Sequence, residues 1–169
     1  PDRLPVHAHE YATDLVDSVA GLRGLSVLFI AANILGQGVS AAVDGQLLVQ
    51  AAAGIGISGI WWIPFLLGVI AVGSFFGLHS VILIVIIGHT LPPATIGLAP
   101  ATLALLMLTS WGIGGVLSPL SNLTLYAANM LGESNWTMAW RDNGLYALGC
   151  IAISAVVIMG FHLVQGGAL

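Results

Sequence analysis

The sequence carries very little charge, and positive charge is the scarcest kind. It contains no lysine and three arginines, and 6% of its 169 residues are charged. Ordinary soluble domains carry roughly 25% charged residues. So few cationic side chains form neither a basic face for nucleic acid nor a polybasic segment for an anionic membrane surface. The sequence therefore predicts a protein without a nucleic-acid partner.

Cysteines and catalytic motifs are equally scarce. Cys150 is the only cysteine, which excludes a disulfide within the chain. The sequence has no nucleophile–base arrangement, phosphate-binding glycine loop or metal-ligand signature. His7, His9 and Glu10 lie close together, but histidines two residues apart face different sides of a helix. We therefore expect no enzyme, no metal site and no cofactor.

Apolar residues make up most of the chain. They account for 58% of it, and the mean hydropathy is +1.03. This balance predicts an all-α, polytopic integral membrane protein with lipid as a partner, and we expect the bacterial inner membrane as its location. Residues 1–20 form a polar segment with a candidate interfacial helix, and residues 21–169 form a single membrane domain.

The apolar runs predict four to six transmembrane or re-entrant helices, some of them broken. A full crossing needs ~20 apolar residues. We expect crossings at residues 24–35, 60–76, 100–117 and 145–164, and an extension of the first one back to residue 19 stays open. The first is expected to end at Gly36 and Gly38, because glycine weakens a helix. Residues 39–54 and 80–87 are shorter or more polar and are predicted to be interfacial, re-entrant or packed inside protein.

Two places interrupt the apolar pattern, at residues 77–80 (GLHS) and 118–124 (SPLSNLT). Broken helices at membrane depth are tolerated where they face protein or a water-filled cavity. Transporters build sites from such breaks, because free N–H groups at a half-helix N-terminus hold anions, and carbonyls and hydroxyls hold Na⁺. The candidate site residues are Gly77, His79, Ser80, Ser118, Ser121, Asn122 and Thr124.

A structural explanation of these residues stands beside the functional one. Serine and threonine often satisfy a membrane helix locally, and Pro119 alone would produce a kink that Ser118 and Ser121 help to satisfy. Asn122 favours a site, because an amide buried in lipid is costly without a partner. Both explanations stay open at this point.

The order of these features resembles the C-terminal repeat of the ion transporter superfamily, which includes divalent anion:sodium symporters. The resemblance starts at residues 29–36 (FIAANILG) and 44–47 (DGQL), which are similar to the opening helix of that repeat and the segment after it. Residues 74–80 (SFFGLHS) resemble its re-entrant hairpin tip, and residues 119–124 (PLSNLT) resemble the unwound middle of its penultimate helix. The match is one of layout, over about residues 22–165.

The resemblance implies one repeat of a secondary transporter for a small anion, coupled to Na⁺ or H⁺. Members have two inverted repeats that share one site, so it also implies a missing N-terminal half or a second copy in a homodimer. Sodium-coupled dicarboxylate members carry Ser-Asn-Thr at the tip, where this chain has Leu78-His79-Ser80. Neither the dicarboxylate substrate nor sodium coupling is therefore carried over. The alternative is a non-catalytic membrane subunit of a larger complex, whose breaks pack against helices, pigment or lipid.

Overall fold

A computed structural model describes residues 23–24 and 26–166, and these residues form helices joined by short turns, with no strand among them. The all-α prediction is confirmed for this part of the chain. The predicted polar segment at residues 1–20 lies outside the described residues, as do His7, His9 and Glu10. The described α-helices are α1 (Ser26–Ala42), α2 (Gly45–Gly54), α3 (Trp62–Phe75), α4 (Ser80–Thr90), α5 (Pro93–Ile96), α6 (Pro100–Leu117), α7 (Asn122–Leu131) and α8 (Gly144–Gly166).

Two helical stretches are long and apolar enough to cross a bilayer, namely α8 and the combined α6 and α7, Pro100–Leu131. Helices α1 and α2 meet at an angle of 73° and count as a third candidate if they are taken as one span. The crossing expected at residues 60–76 corresponds to Gly59–Phe75, an apolar helix of 17 residues, at the lower end of the ~17–25 residues of transmembrane helices. The described residues thus form a membrane-embedded protein with two to three candidate spans and two shorter apolar helices, Gly59–Phe75 and Ser80–Thr90.

Helices α3, α6 and α8 pack together and form the core. Their shared interior is almost entirely aliphatic, and Ile63, Ile70 and Leu106 are fully buried there. Helix α3 begins with Trp62 and Ile63 ahead of Pro64, whose missing N–H does no harm in a first turn. Pro100 likewise occupies the first turn of α6, as expected.

Helix α4 packs against α1, α3 and α6 at positions where a glycine removes the side chain between two helices. A Cβ on Gly73 of α3 would lie 2.5 Å from Leu83 of α4, and one on Gly36 of α1 would lie 2.6 Å from Val85. The expectation that α1 ends at Gly36 and Gly38 is wrong, since the helix continues to Ala42. Gly36 serves close packing here.

Gly114 of α6 differs from the other two glycines, because it meets α3 and α4 together. A Cβ at this position would lie 2.7 Å from Ser74 Oγ and 2.7 Å from Ser80 Cβ. Both serines are buried. The Ser80 Cβ is fixed to the backbone of α4 and cannot move away without a shift of that helix.

We therefore expect Gly114→Ala to destabilise the fold by about 1–3 kcal/mol, the usual cost of overpacking a close-packed interior. The matched control is Gly112→Ala on the same helix, where an added Cβ meets nothing within 4 Å. That control should be neutral or stabilising by up to ~1 kcal/mol, since alanine is the better helix former. Thermal unfolding of both variants in detergent measures the difference. Equal unfolding temperatures for the two variants would contradict the close approach at Gly114.

Candidate functional site

The first break, residues 76–79, separates α3 from α4 and is named break 1. The amide of Gly77 donates to the Ser74 carbonyl at 2.9 Å, and the amide of Leu78 donates to the Gly73 carbonyl at 3.0 Å. This is the Schellman arrangement, and it requires a left-handed residue, which Gly77 supplies with φ of +91°. The end of α3 is thus closed by its own backbone, and the chain turns directly into α4.

The second break, residues 118–121, separates α6 from α7 and is named break 2. Pro119 cannot donate a backbone hydrogen bond, and α6 ends two residues before it. The amide of Ser118 still bonds to the Gly114 carbonyl at 2.9 Å, and the amide of Ser121 bonds to the Ser118 carbonyl at 3.2 Å. Helix α7 then begins at Asn122. The predicted stretch 118–124 is therefore a four-residue break followed by the first turn of a helix.

Ser121 and Thr124 hold the two sides of break 2 together. The Ser121 hydroxyl accepts from the Thr124 amide at 3.1 Å and donates to the Gly115 carbonyl of α6. It also lies 3.0 Å from the Thr124 hydroxyl. A serine that bonds in this way is an N-cap, which satisfies one free amide of the helix that follows. The hydroxyls of both residues are therefore engaged within the protein.

Break 1 and break 2 lie next to each other, although they are about 40 residues apart in the chain. A Cβ on Gly77 would lie 3.0 Å from the Leu120 side chain, and Gly114 lies against Ser80. Between the breaks lies a cavity of about 160 Å³. Its lining residues are Leu28, Phe29, His79, Ser80, Val81, Trp111, Gly114, Gly115, Ser118, Ser121, Asn122 and Leu123.

The cavity presents hydrogen-bond donors that have no acceptor in the described part of the chain. Ser80 and Ser118 are each 3% exposed, and neither hydroxyl donates to a described residue. The side chain of Asn122 is exposed and likewise makes no such bond. His79 accepts the Val81 amide at 3.4 Å through Nδ1, so its neutral ring carries the proton on Nε2.

The electrostatics of the cavity come from helix ends, because no described lining residue is charged. Helix α4 begins at Ser80 and α7 begins at Asn122, so two helix N-termini meet here. The first amides of a helix lack intrahelical acceptors, and the helix dipole places partial positive charge at this end. Donors and positive helix ends around a small uncharged cavity suit a small anion.

The seven candidate residues divide into three groups. His79, Ser80, Ser118 and Asn122 line the cavity with donor groups that remain available. Ser121 lines it as well, but its hydroxyl caps α7. Gly77 and Thr124 lie beside the cavity, where Gly77 forms the turn of break 1 and Thr124 is buried against α6.

Sequence reasoning missed the wall that α1 contributes. Phe29 of α1 lines the cavity and meets Trp111 of α6 edge to face, with ring centroids 6.5 Å apart. It also missed Ser74, which is fully buried behind Gly114 and whose hydroxyl has no partner among the described residues. No local pattern marks either residue, because both positions depend on contacts between distant segments.

The other polar side chains of the described residues lie away from the cavity. The Asp44 carboxylate accepts the Gln46 amide at 2.9 Å and caps α2. Thr102 Oγ1 lies 3.4 Å from His162 Nδ1 and 3.2 Å from Gln165 Oε1, which joins the start of α6 to the end of α8. No group of three or more histidine, cysteine or acidic residues in the described chain is placed to hold a metal ion.

Comparisons of the chain with protein-family models, with curated proteins and with solved structures give no match.

The geometry of break 2 predicts that Ser121→Ala destabilises the protein by about 1–2 kcal/mol, because the N-cap of α7 and its link to Gly115 are lost together. Ser134→Ala is the matched control. Ser134 accepts the Thr137 amide at 3.0 Å in the same way, at the exposed start of helical residues 135–142. It lacks the second bond that joins Ser121 to another helix, so we expect a smaller loss of about 0.5–1 kcal/mol. Denaturant unfolding of both variants measures the difference. An equal loss for the two would mean that Ser121 does not link α6 to α7.

Proposed function

We propose that the chain is the C-terminal half of a secondary transporter that moves a small anion across a bacterial inner membrane, with its site at break 1 and break 2. The observation that carries the proposal is the convergence of both breaks on one cavity. Two helix N-termini and two serine hydroxyls without acceptors meet there. In this proposal the fold is polytopic, and α3 and α4 form a re-entrant hairpin whose tip is break 1.

The donors are numerous enough to replace water around an anion. A hydrogen bond to a charged group contributes roughly 1.5–3 kcal/mol, and a helix N-terminus adds about 0.3–1 kcal/mol. Removing an ion from water costs several kcal/mol in a real protein. Ser80, Ser118, His79 and Asn122 together offset that cost, and the loss of one or two of them leaves a deficit. Binding should therefore depend steeply on these side chains.

The size of the cavity suits a small substrate. Its volume of about 160 Å³ is close to the ~150 Å³ of an engineered protein cavity that holds benzene. Inorganic anions and small carboxylates fit such a space. The proposed substrate class is therefore a small anion.

Alternating access would use the glycine contacts of α4. Gly73 and Gly114 bring α4 directly against α3 and α6, and the Leu83 side chain of α4 fills the space at Gly73. We expect α4 to move with break 1 against α6, which changes the side from which the cavity is open. The core of α3, α6 and α8 would serve as the scaffold.

The side of the cavity that lies beyond α6 and α7 requires a further protein surface. Trp111, Leu120 and Leu123 around it are 46%, 56% and 61% exposed. Polar donors at membrane depth face protein or a water-filled space and not lipid. An N-terminal half of the same protein, or a second copy in a homodimer, would complete the site.

A second candidate function is that of a non-catalytic subunit in a larger membrane complex. A specific observation favours it, namely an apolar groove of about 480 Å³ between α3 and α8. Trp140 lines this groove and stacks on Phe75 with ring centroids 4.3 Å apart. A lipid chain, a pigment or a neighbouring helix would fit there. In that case the breaks would pack against neighbours and carry no substrate.

The transport proposal predicts that Ser80→Ala combined with Ser118→Ala lowers anion uptake by about 100-fold or more, because two hydrogen bonds to a charged substrate are lost. The matched control is Ser110→Ala. Ser110 is equally buried on α6, but its hydroxyl donates to the Leu106 carbonyl at 2.8 Å and does not line the cavity. Uptake of nitrate, chloride, formate and sulfate into proteoliposomes measures the effect, with the complete protein and any partner subunit present.

The two candidate functions give different results in this assay. Loss of uptake in the double variant, with the Ser110 variant active and both assembled normally, supports transport. If anion uptake is unchanged in the double variant, the cavity is not the anion-binding site. If the unaltered protein shows no anion uptake and the double variant fails to assemble with partner proteins, the chain is instead a non-catalytic subunit of a larger complex.

A further inference from the structure

His79 has two roles in the structure at the same time. Its ring lines the cavity, and its Nδ1 caps α4 by accepting the Val81 amide at 3.4 Å. The neutral ring therefore uses one nitrogen as an acceptor at the helix end and carries its proton on the other. A second proton can enter only at Nδ1. Its arrival replaces the hydrogen bond from Val81, because Nδ1–H and the amide are both donors.

The surroundings of His79 contain no other titratable side chain within the described residues. Helices α1, α6 and α7 contribute none to the cavity, and neither does α3. On α4 the next titratable group is His89, which lies about 15 Å further along the helix and contacts Gly36 of α1. Tyr126 of α7 and Asp44 before α2 are exposed and lie outside the lining.

An anion or a proton that enters this cavity alone leaves an unpaired charge. No described lining residue carries a counter-charge, and unpaired charge in a low-dielectric site costs several kcal/mol. An anion beside protonated His79 is a neutral pair. The cost of burial is therefore lowest when both ligands bind together, and each ligand increases the affinity for the other by the same factor.

We propose that His79 takes up the coupling proton, so that the site binds one small anion together with one H⁺. The proton comes from the water in contact with the cavity and binds to the Nδ1 lone pair, and no bond of the anion changes. This inference rests on the proposed anion site and names its coupling ion. Protonation also frees the Val81 amide, which adds a donor at the N-terminus of α4.

The first test measures nitrate binding by calorimetry as a function of pH, in pairs of buffers with different ionisation enthalpies. If His79 is neutral in the free site and protonated in the occupied site, the affinity for nitrate falls by about tenfold for each unit by which the pH rises in the alkaline range. Nitrate binding should also take up close to one proton, as a rough expectation from the same linkage. The unaltered complete protein is used for both measurements.

His79→Asn separates the proton from the helix cap. Asparagine is a strong N-cap residue and keeps an acceptor for α4, but it does not titrate. In this variant nitrate should bind more weakly, the remaining affinity should no longer depend on pH, and binding should take up no proton. His89→Asn on the same helix is the matched control, because His89 lies outside the cavity, and it should keep the slope of the unaltered protein.

A second measurement does not depend on any variant folding. In the unaltered protein with ¹⁵N-labelled histidine, nitrate should convert one ring from the neutral to the imidazolium NMR signature at a pH where that ring is neutral without nitrate. The His89 control should leave this signal in place. Nitrate that binds with a pH-independent affinity and no proton uptake overturns the role of His79 while the anion site stands. Absence of binding by nitrate, chloride, formate and sulfate overturns the site itself, and the proton proposal with it.

Discussion

The structure depends on one constraint, which is that a helix interrupted in an apolar environment must still satisfy its backbone hydrogen bonds. Both interruptions here do so with local chemistry. Gly77 closes the end of α3 with its left-handed conformation, and Ser121 caps α7 while it bonds back to α6. Because the backbone is satisfied in this way, the hydroxyls of Ser80 and Ser118 remain as donors between the breaks. At the cavity, the backbone groups of the helix ends are hydrogen-bonded, while the two serine hydroxyls have no acceptor among the described residues.

The apposition of the breaks depends in turn on small residues. Gly114 allows α6 to approach Ser74 of α3 and Ser80 of α4 so closely that any side chain would collide with both. Gly73 and Gly36 do the same for the other contacts of α4. In a bilayer, where apolar side chains gain little by leaving lipid, such backbone proximity is a main source of helix association.

Local signals in the sequence predicted the helical class and the positions of both breaks. Pro119 and Gly77 each have a conformational requirement that does not depend on the rest of the fold, and Pro100 marks the start of α6 for the same reason. The long apolar run of α8 was equally visible. The predicted four to six transmembrane or re-entrant helices stay a prediction beyond the two to three candidate spans, because apolar composition does not fix helix length. The stretch at 60–76, for example, forms a helical segment of 17 residues.

The roles of individual residues at the site needed the tertiary structure. Ser121 and Thr124 were predicted as ligands, but their hydroxyls bond to each other and to Gly115. Phe29 was missed because only the fold brings α1 to the cavity. Gly36 was expected to end a helix, and it proved to be a packing contact with Val85. The contacts of Phe29 and Gly36 join segments that are distant in the chain, where residue spacing carries no information. The bonds of Ser121 and Thr124 are local, but the sequence alone left the capping role and the ligand role both open.

The central claim is that break 1 and break 2 together form one anion site. Anomalous diffraction from crystals of the complete protein grown in bromide tests it most directly, because the ion is located without any substitution. We expect one bromide in the cavity, within hydrogen-bond distance of the Ser80 and Ser118 hydroxyls and beside the N-terminus of α7. Crystals in which the breaks lie apart, or in which they lie together and bromide is bound only elsewhere, would contradict the claim.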